Sequence, residues 1–198
     1  MPTLFRLILS DARAKAAWCY EREDWKGVVK ALLTDGTPAM VWYRLMQAAR
    51  RWRLGPLEMV FNRLNTAFCG CVIGRGAEFG PGFVLVHSHG VVINGTVRGG
   101  RNVRIEHQVT IGAEKRQSPL LGDDVFIGAG AKVIGPVWIG DGAKVGANAV
   151  VVDDVPAGAT VVGIPARVVR RAGMPTAAPP AADTPPGQTA APNLAACP

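Results

Sequence analysis

Residues 121–156 read LGDDVFIGAGAKVIGPVWIGDGAKVGANAVVVDDVP, and this stretch repeats with a period of six. Each group of six opens with an aliphatic residue, glycine often follows, and the fifth residue is Ala or Val. An α-helix, with about 3.6 residues per turn, cannot place such a pattern on one face. A period of six with two inward positions is typical of a parallel β-helix, in which three short strands form one triangular coil.

The same period extends toward the N-terminus. From Ile73 the groups read IGRGAE, FGPGFV, LVHSHG and VVINGT, and after Val97 and Arg98 come GGRNVR and IEHQVT. A longer interruption, AEKRQSPL at 113–120, separates these groups from the first stretch. We therefore place a β-helix domain at residues 69–173, with about 18 residues per coil and about 4.8 Å between coils.

Segments of different composition flank the repeat. Residues 1–68 have apolar residues at intervals of three and four, interrupted at Gly55 and Pro56, which predicts an arm of short amphipathic helices. Residues 174–198 are rich in Pro, Ala and Thr and offer almost nothing large to bury, so we expect a disordered C-terminal tail. The predicted fold is thus mainly β, with a helical arm before the coils and a disordered tail after them.

The net charge of +7 is concentrated in the arm. Arg50, Arg51 and Arg53 cluster there beside Trp52, a pattern more typical of a solvated helix end than of a surface for nucleic acid or acidic lipid. No run approaches the roughly 18 apolar residues of a membrane span, and the first apolar run is too short for a secretory signal. We expect a cytoplasmic protein with no nucleic-acid partner and no integral membrane segment.

Three histidines lie in the repeat region: His87, His89 and His107. His87 is the third residue of LVHSHG and His107 the third of IEHQVT, so one coil and two inserted residues separate them. The third position is not the inward aliphatic position. We therefore predict that these two side chains stack on neighbouring coils and face a groove. A single histidine at such a corner would more often bond to the backbone, but a stacked pair favours a functional site.

These groups, together with GIPARVV at 163–169, resemble the hexapeptide-repeat acyltransferases. Within that class HSHGVVINGT at 87–96, VTIGAE at 109–114 and IGAGAKVIG at 127–135 are most similar to serine acetyltransferases. The resemblance implies a left-handed β-helix, a homotrimer, acetyl-CoA as the acetyl donor and transfer of the acetyl group to a hydroxyl.

The resemblance also suggests which residues form the site. His87 matches the family's catalytic histidine, and an imidazole can accept the proton of an attacking hydroxyl. His107 and its neighbour Glu106 are further catalytic candidates, because Glu106 can orient an imidazole on the same edge. Candidate contacts for acetyl-CoA are Gly112, Ala129, Lys132, Ala147 and Arg167. For the alanines corner packing is an equally compatible interpretation, and for the two basic residues a solvated surface is.

The sequence departs from the serine acetyltransferases at positions that matter for the acceptor. The family has an aspartate directly before the catalytic histidine and another near the start of the coils, where this chain has Val86 and Val72. A second functional histidine, before a proline, is replaced by Ser118. A buried ammonium group without a counter-charge costs several kcal/mol. Three other carboxylates remain to replace the lost ones: Asp24, Asp35 and Glu106.

The lost carboxylates determine the expected acceptor. A neutral, hydroxyl-rich acceptor needs no carboxylate clamp, so we favour a sugar in surface or extracellular polysaccharide biosynthesis. Free serine, the substrate for cysteine biosynthesis, is the alternative small-molecule acceptor. A non-catalytic hexapeptide scaffold, or a zinc site shared by histidines across a trimer, are the alternatives outside acyl transfer.

Overall fold

The computed structural model describes residues 3–170 of the 198-residue chain. The predicted disordered tail at 174–198 lies outside the described residues, as does the end of the predicted β-helix domain. Four helices come first, and fifteen short strands follow them. Among the helices in this part of the chain, none is long and apolar enough to cross a bilayer.

The arm consists of α1 (Leu4–Tyr20), α2 (Trp25–Leu32), α3 (Thr37–Arg51) and α4 (Gly55–Cys69). Side chains in the preceding residues cap the first two helices: Thr3 Oγ1 accepts from Arg6 N, and the Asp24 carboxylate accepts from Gly27 N. Proline lies in the first turn of α3 and of α4, where its missing N–H costs nothing. Gly55 and Pro56 therefore begin α4, and the break between the last two helices falls just before them.

The strands form the three faces of a triangular β-helix. In chain order they are β1 (Val72–Ile73), β2 (Glu78–Phe79), β3 (Val84–Leu85), β4 (Val92–Ile93), β5 (Arg98–Gly99), β6 (Arg104–Ile105), β7 (Thr110–Gly112), β8 (Leu120–Leu121), β9 (Phe126–Ile127), β10 (Lys132–Ile134), β11 (Trp138–Ile139), β12 (Lys144–Val145), β13 (Val150–Val151), β14 (Thr160–Val162) and β15 (Arg167–Arg170). The sheets run β1-β4-β7-β10-β13, β11-β8-β5-β2 and β15-β14-β12-β9-β6-β3. All pairs are parallel except β14 with β15. The predicted left-handed β-helix with a helical arm is confirmed.

The six-residue period arises from the core. Val91, Val97, Val103 and Val109 follow one another at intervals of six, and each is fully buried. A second series, which includes Ile105, fills the other inward position of each group. Because only side chains at these two positions reach the axis of the solenoid, the rest of each group can carry polar residues or glycine.

The first coil is two residues longer than the second. Ile73 pairs with Ile93, twenty residues on, and Leu85 pairs with Ile105 at the same separation. Ile93 then pairs with Ile111, only eighteen residues on. The two extra residues therefore lie between Leu85 and Ile93.

The grouping by six placed this insertion at Val97 and Arg98, and that placement is wrong. Val97 is fully buried and Arg98 begins β5, so neither is an extra residue. The error arises because Val91 and Ile93 are both buried, and either one can open a group. The insertion instead falls within residues 86–91, which hold His87 and His89 and are called the histidine corner below.

The arm caps an open edge of the solenoid. N–H groups of the first coil donate to carbonyls of the second, as from Val84 to Val103 and from Val86 to Ile105. Several carbonyls of the first coil point the other way, and no earlier coil in residues 3–170 donates to them. Side chains of the arm do so instead: Asn62 to Ile73, Tyr43 to Ala77, Arg44 to Phe79 and Gly80, and Lys15 to Leu85 and Val86. This contact satisfies backbone acceptors that a solenoid end leaves without partners.

A buried ion pair belongs to the same cap. Arg44 Nε lies 2.6 Å from Asp11 Oδ2, Arg44 Nη2 lies 3.0 Å from Asp11 Oδ1, and both side chains are 1% exposed. Asp11 also accepts hydrogen bonds from the N–H groups of Gly82 and Phe83. Burial raises the pKa of Asp11, and these hydrogen bonds oppose the rise. The pair thus ties α1 and α3 to one turn of the first coil.

Asp11→Ala should lower the free energy of unfolding by about 3–5 kcal/mol, because it leaves the Arg44 guanidinium buried without its counter-charge. Urea unfolding of wild type and variant measures this difference. Asp153→Ala is the matched control, since its ion pair with Arg167 is largely exposed and should contribute less than about 1 kcal/mol. A loss for Asp11→Ala no larger than that of the control would contradict the capping role.

Candidate active site

The two stacked histidines predicted from the sequence lie together. The ring centroids of His87 and His107 are 5.9 Å apart, and the ring planes meet at 74°. They border an open cavity of about 590 Å³, whose lining also includes Asp35, His89 and Gln108. The insertion at the histidine corner lets the chain bulge between β3 and β4, so imidazoles there face the cavity rather than the core.

A carboxylate from the helical arm contacts the first of these rings. Asp35, in the segment between α2 and α3, places Oδ2 3.2 Å from His87 Nδ1. Its other oxygen, Oδ1, lies 3.2 Å from Ser88 Oγ and accepts a 2.6 Å hydrogen bond from Gly36 N. Ser88 Oγ is also 2.9 Å from the carbonyl oxygen of Cys69. The aspartate thus connects the arm with the histidine corner.

The charge of Asp35 determines which nitrogen of His87 carries a proton. Partial burial raises the pKa of Asp35, but hydrogen bonds from Gly36, His87 and Ser88 outweigh it, and the net effect lowers that pKa. The carboxylate is therefore ionised at neutral pH and can only accept hydrogen bonds. In the neutral imidazole Nδ1 then holds the proton and Nε2 holds the lone pair.

A buried lysine holds the segment that carries Asp35. Lys15 of α1 is 1% exposed, and its Nζ donates to the backbone carbonyl of Asp35. The same ammonium donates to the carbonyls of Leu85 and Val86, at 3.1 and 3.2 Å. One side chain therefore joins α1, the Asp35 segment and the strand that leads into His87. Sequence reasoning missed Lys15, although it lies among apolar residues at helical spacing.

The remaining catalytic candidates lie at the second ring. His107 Nδ1 is 3.6 Å from Glu106 Oε2, within ion-pair range if the ring is protonated. His89 lines the same cavity as His87 and His107. The structure therefore brings the predicted histidines and Glu106 into one region. Their catalytic roles stay predictions.

The predicted alanines extend the line of this corner. His107 lies two residues after β6, Ala129 two after β9 and Ala147 two after β12. Backbone hydrogen bonds connect the three coils at this level, from Gly130 N to His107 O and from Asn148 N to Ala129 O. Small residues thus form a continuous edge that leads away from the histidines.

The other predicted donor contacts are more dispersed. Lys132 Nζ donates at 2.6 Å to the carbonyl of Gln108, which is a residue of the cavity lining. Gly112 is in β7, where it pairs with Ile134 of β10, and Arg167 is in β15, where its guanidinium faces Asp153. None of the five predicted donor contacts is among the residues that line the cavity beside His87 and His107.

The valines that replace the family's aspartates have different environments. Val86 is buried and clusters with Val84 and with Cys19 of α1. Val72 is 41% exposed on β1. At position 86 the side chain therefore packs against the arm, and the carboxylate at this site comes from Asp35 instead. Among residues 3–170, no group of three His, Cys, Asp or Glu side chains is arranged to hold a metal ion.

The chain is similar to known transferases. Residues 118–153 match the family model described as bacterial transferase hexapeptide (six repeats). A serine acetyltransferase of Synechococcus elongatus is 35% identical over 177 residues, which cover 86% of this chain and 71% of that protein. A serine acetyltransferase of Helicobacter pylori is 38% identical over 144 residues, which cover 71% of this chain and 84% of that protein. A solved serine acetyltransferase in complex with CoA superposes with a TM-score of 0.77 at 30% identity, covering 85% of this chain and 70% of that one.

The arm-then-coil order, the histidine corner and the extent of these similarities agree. The chain belongs to the serine acetyltransferase family of hexapeptide-repeat acyltransferases.

Proposed function

We propose that the chain transfers an acetyl group from acetyl-CoA to the hydroxyl of L-serine, with His87 as the general base. Membership of the family makes the chain an acyltransferase that uses acetyl-CoA as its donor. The acceptor and the residue roles are the proposed part. The observation that carries them is the hydrogen-bonding contact of His87 with a carboxylate in an open cavity.

The chemistry follows from the state of the His87 ring. A serine hydroxyl is a weak nucleophile until a base takes its proton during attack on the thioester carbonyl. With Nδ1 turned toward Asp35, Nε2 is the nitrogen that accepts this proton and later delivers it to the leaving thiolate. The imidazolium that forms in between lies beside an ionised carboxylate, which stabilises its charge.

Serine is favoured over the sugar that the sequence suggested. The sugar was preferred because Val86 and Val72 stand where the family has carboxylates. The arm places the Asp35 carboxylate in the cavity wall, and Glu106 lies beside His107. An acceptor with an ammonium group therefore finds negative charge near the histidines. The relatives, whose names specify serine, support the same acceptor.

The donor is proposed to lie along the edge formed by Ala129 and Ala147. Small residues there let a ligand approach the backbone, and Lys132, which donates to Gln108 of the cavity lining, supplies positive charge for phosphate groups. Backbone N–H groups near Gly112 are the proposed donors to the tetrahedral oxyanion. Arg167, at the far end of the coils, is the second proposed phosphate contact.

A homotrimer is the proposed assembly. The cavity is open on this chain, and the side chain of His107 is 45% exposed. Outward-facing Val72 and Val92 pair side by side in the first sheet and are each 41% exposed. A neighbouring subunit that covers such an apolar patch would also close the groove.

His87→Ala should lower kcat by about 10²–10⁴-fold, the usual contribution of a general base. Acetyl-CoA affinity should stay within a few-fold, since the donor edge lies on later coils. His107→Ala should cost less and His89→Ala least, because His87 contacts both Asp35 and the His107 ring, whereas His107 contacts Asp35 only through His87. Steady-state kinetics on the three variants measures the order. An essential His89 with a dispensable His87 would contradict the assignment.

Thiol release from acetyl-CoA should be fastest with L-serine, at a kcat/KM of at least about 10⁴ M⁻¹s⁻¹. The matched probe is 3-hydroxypropionate, which keeps the hydroxyl and carboxylate but lacks the ammonium group. We expect it to react at least about 10²-fold more slowly, because it lacks the attraction between an ammonium group and the carboxylates near the histidines. A sugar or nucleotide sugar that reacts faster than L-serine would overturn the serine proposal and leave the acetyltransferase standing.

Light scattering should give three times the 20.9 kDa mass of the chain. A stable monomer with full turnover of acetyl-CoA would contradict a groove shared between subunits. Measurement across a dilution series, with activity followed in parallel, separates the two outcomes.

A further inference from the structure

We infer that the helical arm positions the catalytic histidine: Asp35 fixes the tautomer and orientation of His87, and Lys15 and Gly36 hold Asp35 in place. The inference rests on the proposed role of His87 as base. It makes Asp35 a positioning residue of the acetyl transfer, supplied from 52 residues earlier in the chain.

The contacts of the Asp35 carboxylate are directed at the histidine corner. Oδ2 faces His87 Nδ1, and Oδ1 faces Ser88 Oγ and the N–H of Gly36. Ser88 is buried, and its single hydroxyl proton is shared between Oδ1 and the Cys69 carbonyl oxygen, which lie 3.2 and 2.9 Å from its Oγ. A carboxylate that only capped a turn would need the Gly36 contact alone. The further two contacts fix its direction relative to the imidazole.

Lys15 makes this arrangement rigid. A buried ammonium is costly unless all its donors find acceptors. Here it donates to the carbonyls of Asp35, Leu85 and Val86, which matches the three donors of an ammonium group. Because two acceptors lie just before His87 and the third belongs to Asp35, moving the aspartate segment away from the corner would break this set.

Gly36 permits the close approach. Its φ is +80°, a conformation that favours glycine, and a Cβ built on it would lie 2.3 Å from the carbonyl oxygen of Leu85. Any side chain at this position would push the segment off the strand that leads to His87. Two residues therefore support the contact between Asp35 and His87: the buried Lys15, and Gly36, where a side chain would clash.

Asp35→Asn is the primary test, because the amide keeps the size of the side chain while removing its charge. We expect kcat with L-serine to fall about 10- to 10³-fold, as when a base loses the carboxylate that holds its tautomer. Acetyl-CoA affinity should stay within about threefold and the melting temperature should not change. Asp24→Asn is the matched control: this arm carboxylate also receives a backbone N–H, pairs with Arg22, and can be replaced by Asn as a cap.

The pH profile gives a readout that a structural role would not move. His89, His107 and Glu106 also face this region, and Asp35→Asn leaves all three unchanged. Loss of the counter-charge should shift the acidic limb of kcat/KM to lower pH, whereas Asp24→Asn should leave the limb in place. An unshifted limb in Asp35→Asn would count against the inference.

A double-mutant cycle decides whether Asp35 acts through His87. If it does, Asp35→Asn should cause no further loss of kcat in a His87→Ala background. A loss of full size in that background, or wild-type kcat in Asp35→Asn alone, would overturn the inference. Wild-type kcat in His87→Ala alone would instead overturn the proposed base, so the two failures are distinguishable.

Substitution of Gly36 gives an independent test of the same inference. Gly36→Ala should reduce kcat at least about tenfold, with a smaller effect on acetyl-CoA affinity, because it displaces Asp35 from His87. Gly55→Ala is the matched control, since a Cβ at Gly55 meets nothing within 4 Å. Equal activities for the two variants would contradict the positioning role, and melting curves of both show whether a loss of activity reflects unfolding.

Discussion

The open carbonyl edge of the first coil is the constraint on which the rest of the structure depends. A parallel β-helix can pair its backbone groups only between coils, so its first coil has acceptors with no donors. Here Asn62, Tyr43, Arg44 and Lys15 donate to that edge from three helices. The arm therefore supplies donors to a hydrogen-bond ladder that the repeat alone cannot complete, and these contacts hold α1, α3 and α4 against the coils.

The same capping contacts place the functional groups. Burying Lys15 and Arg44 costs desolvation energy that a hydrophobic contact would avoid. Leaving either buried charge without its oxygen acceptors would cost several kcal/mol, which disfavours other registers of the arm on the coils. The Asp35 carbonyl is one of the acceptors of Lys15, and the Asp35 carboxylate then reaches His87. Capping of the solenoid and orientation of the histidine are thus parts of one set of contacts.

The repeat was predictable from sequence because a period of six with two inward positions fits few other structures. The stacking of His87 and His107 followed from the coil length even though the insertion was placed at the wrong corner. Either Val91 or Ile93 can open a group, and only strand pairing distinguishes them. The positions of Glu106, Ala129 and Ala147 along one edge could be predicted because these residues lie in the repeat, where position in the group predicts position in space.

The contribution of the arm was not predictable in the same way. Asp35 could be named only as one of three carboxylates, since its distance to His87 depends on how helices dock across 52 residues. Lys15 and Arg44 look like ordinary helix charges until the carbonyls beneath them are known. Val86 and Val72 favour a sugar only if the coils are the sole source of carboxylates for the site. These valines show that the coils lack carboxylates at two positions, but the arm supplies Asp35.

The site forms where the repeat is least regular. In the regular coils, each residue is constrained by the core or by the coils above and below, which leaves small residues such as Ala129 and Ala147 along a uniform edge. The two-residue insertion releases the histidine corner from that constraint, so His87 can turn toward the arm and Ser88 can bond to Asp35. On a regular coil, the backbone hydrogen bonds between coils would set the direction of a catalytic side chain. At an insertion its direction must come from a second element, and the arm that caps the solenoid is already in place to provide it.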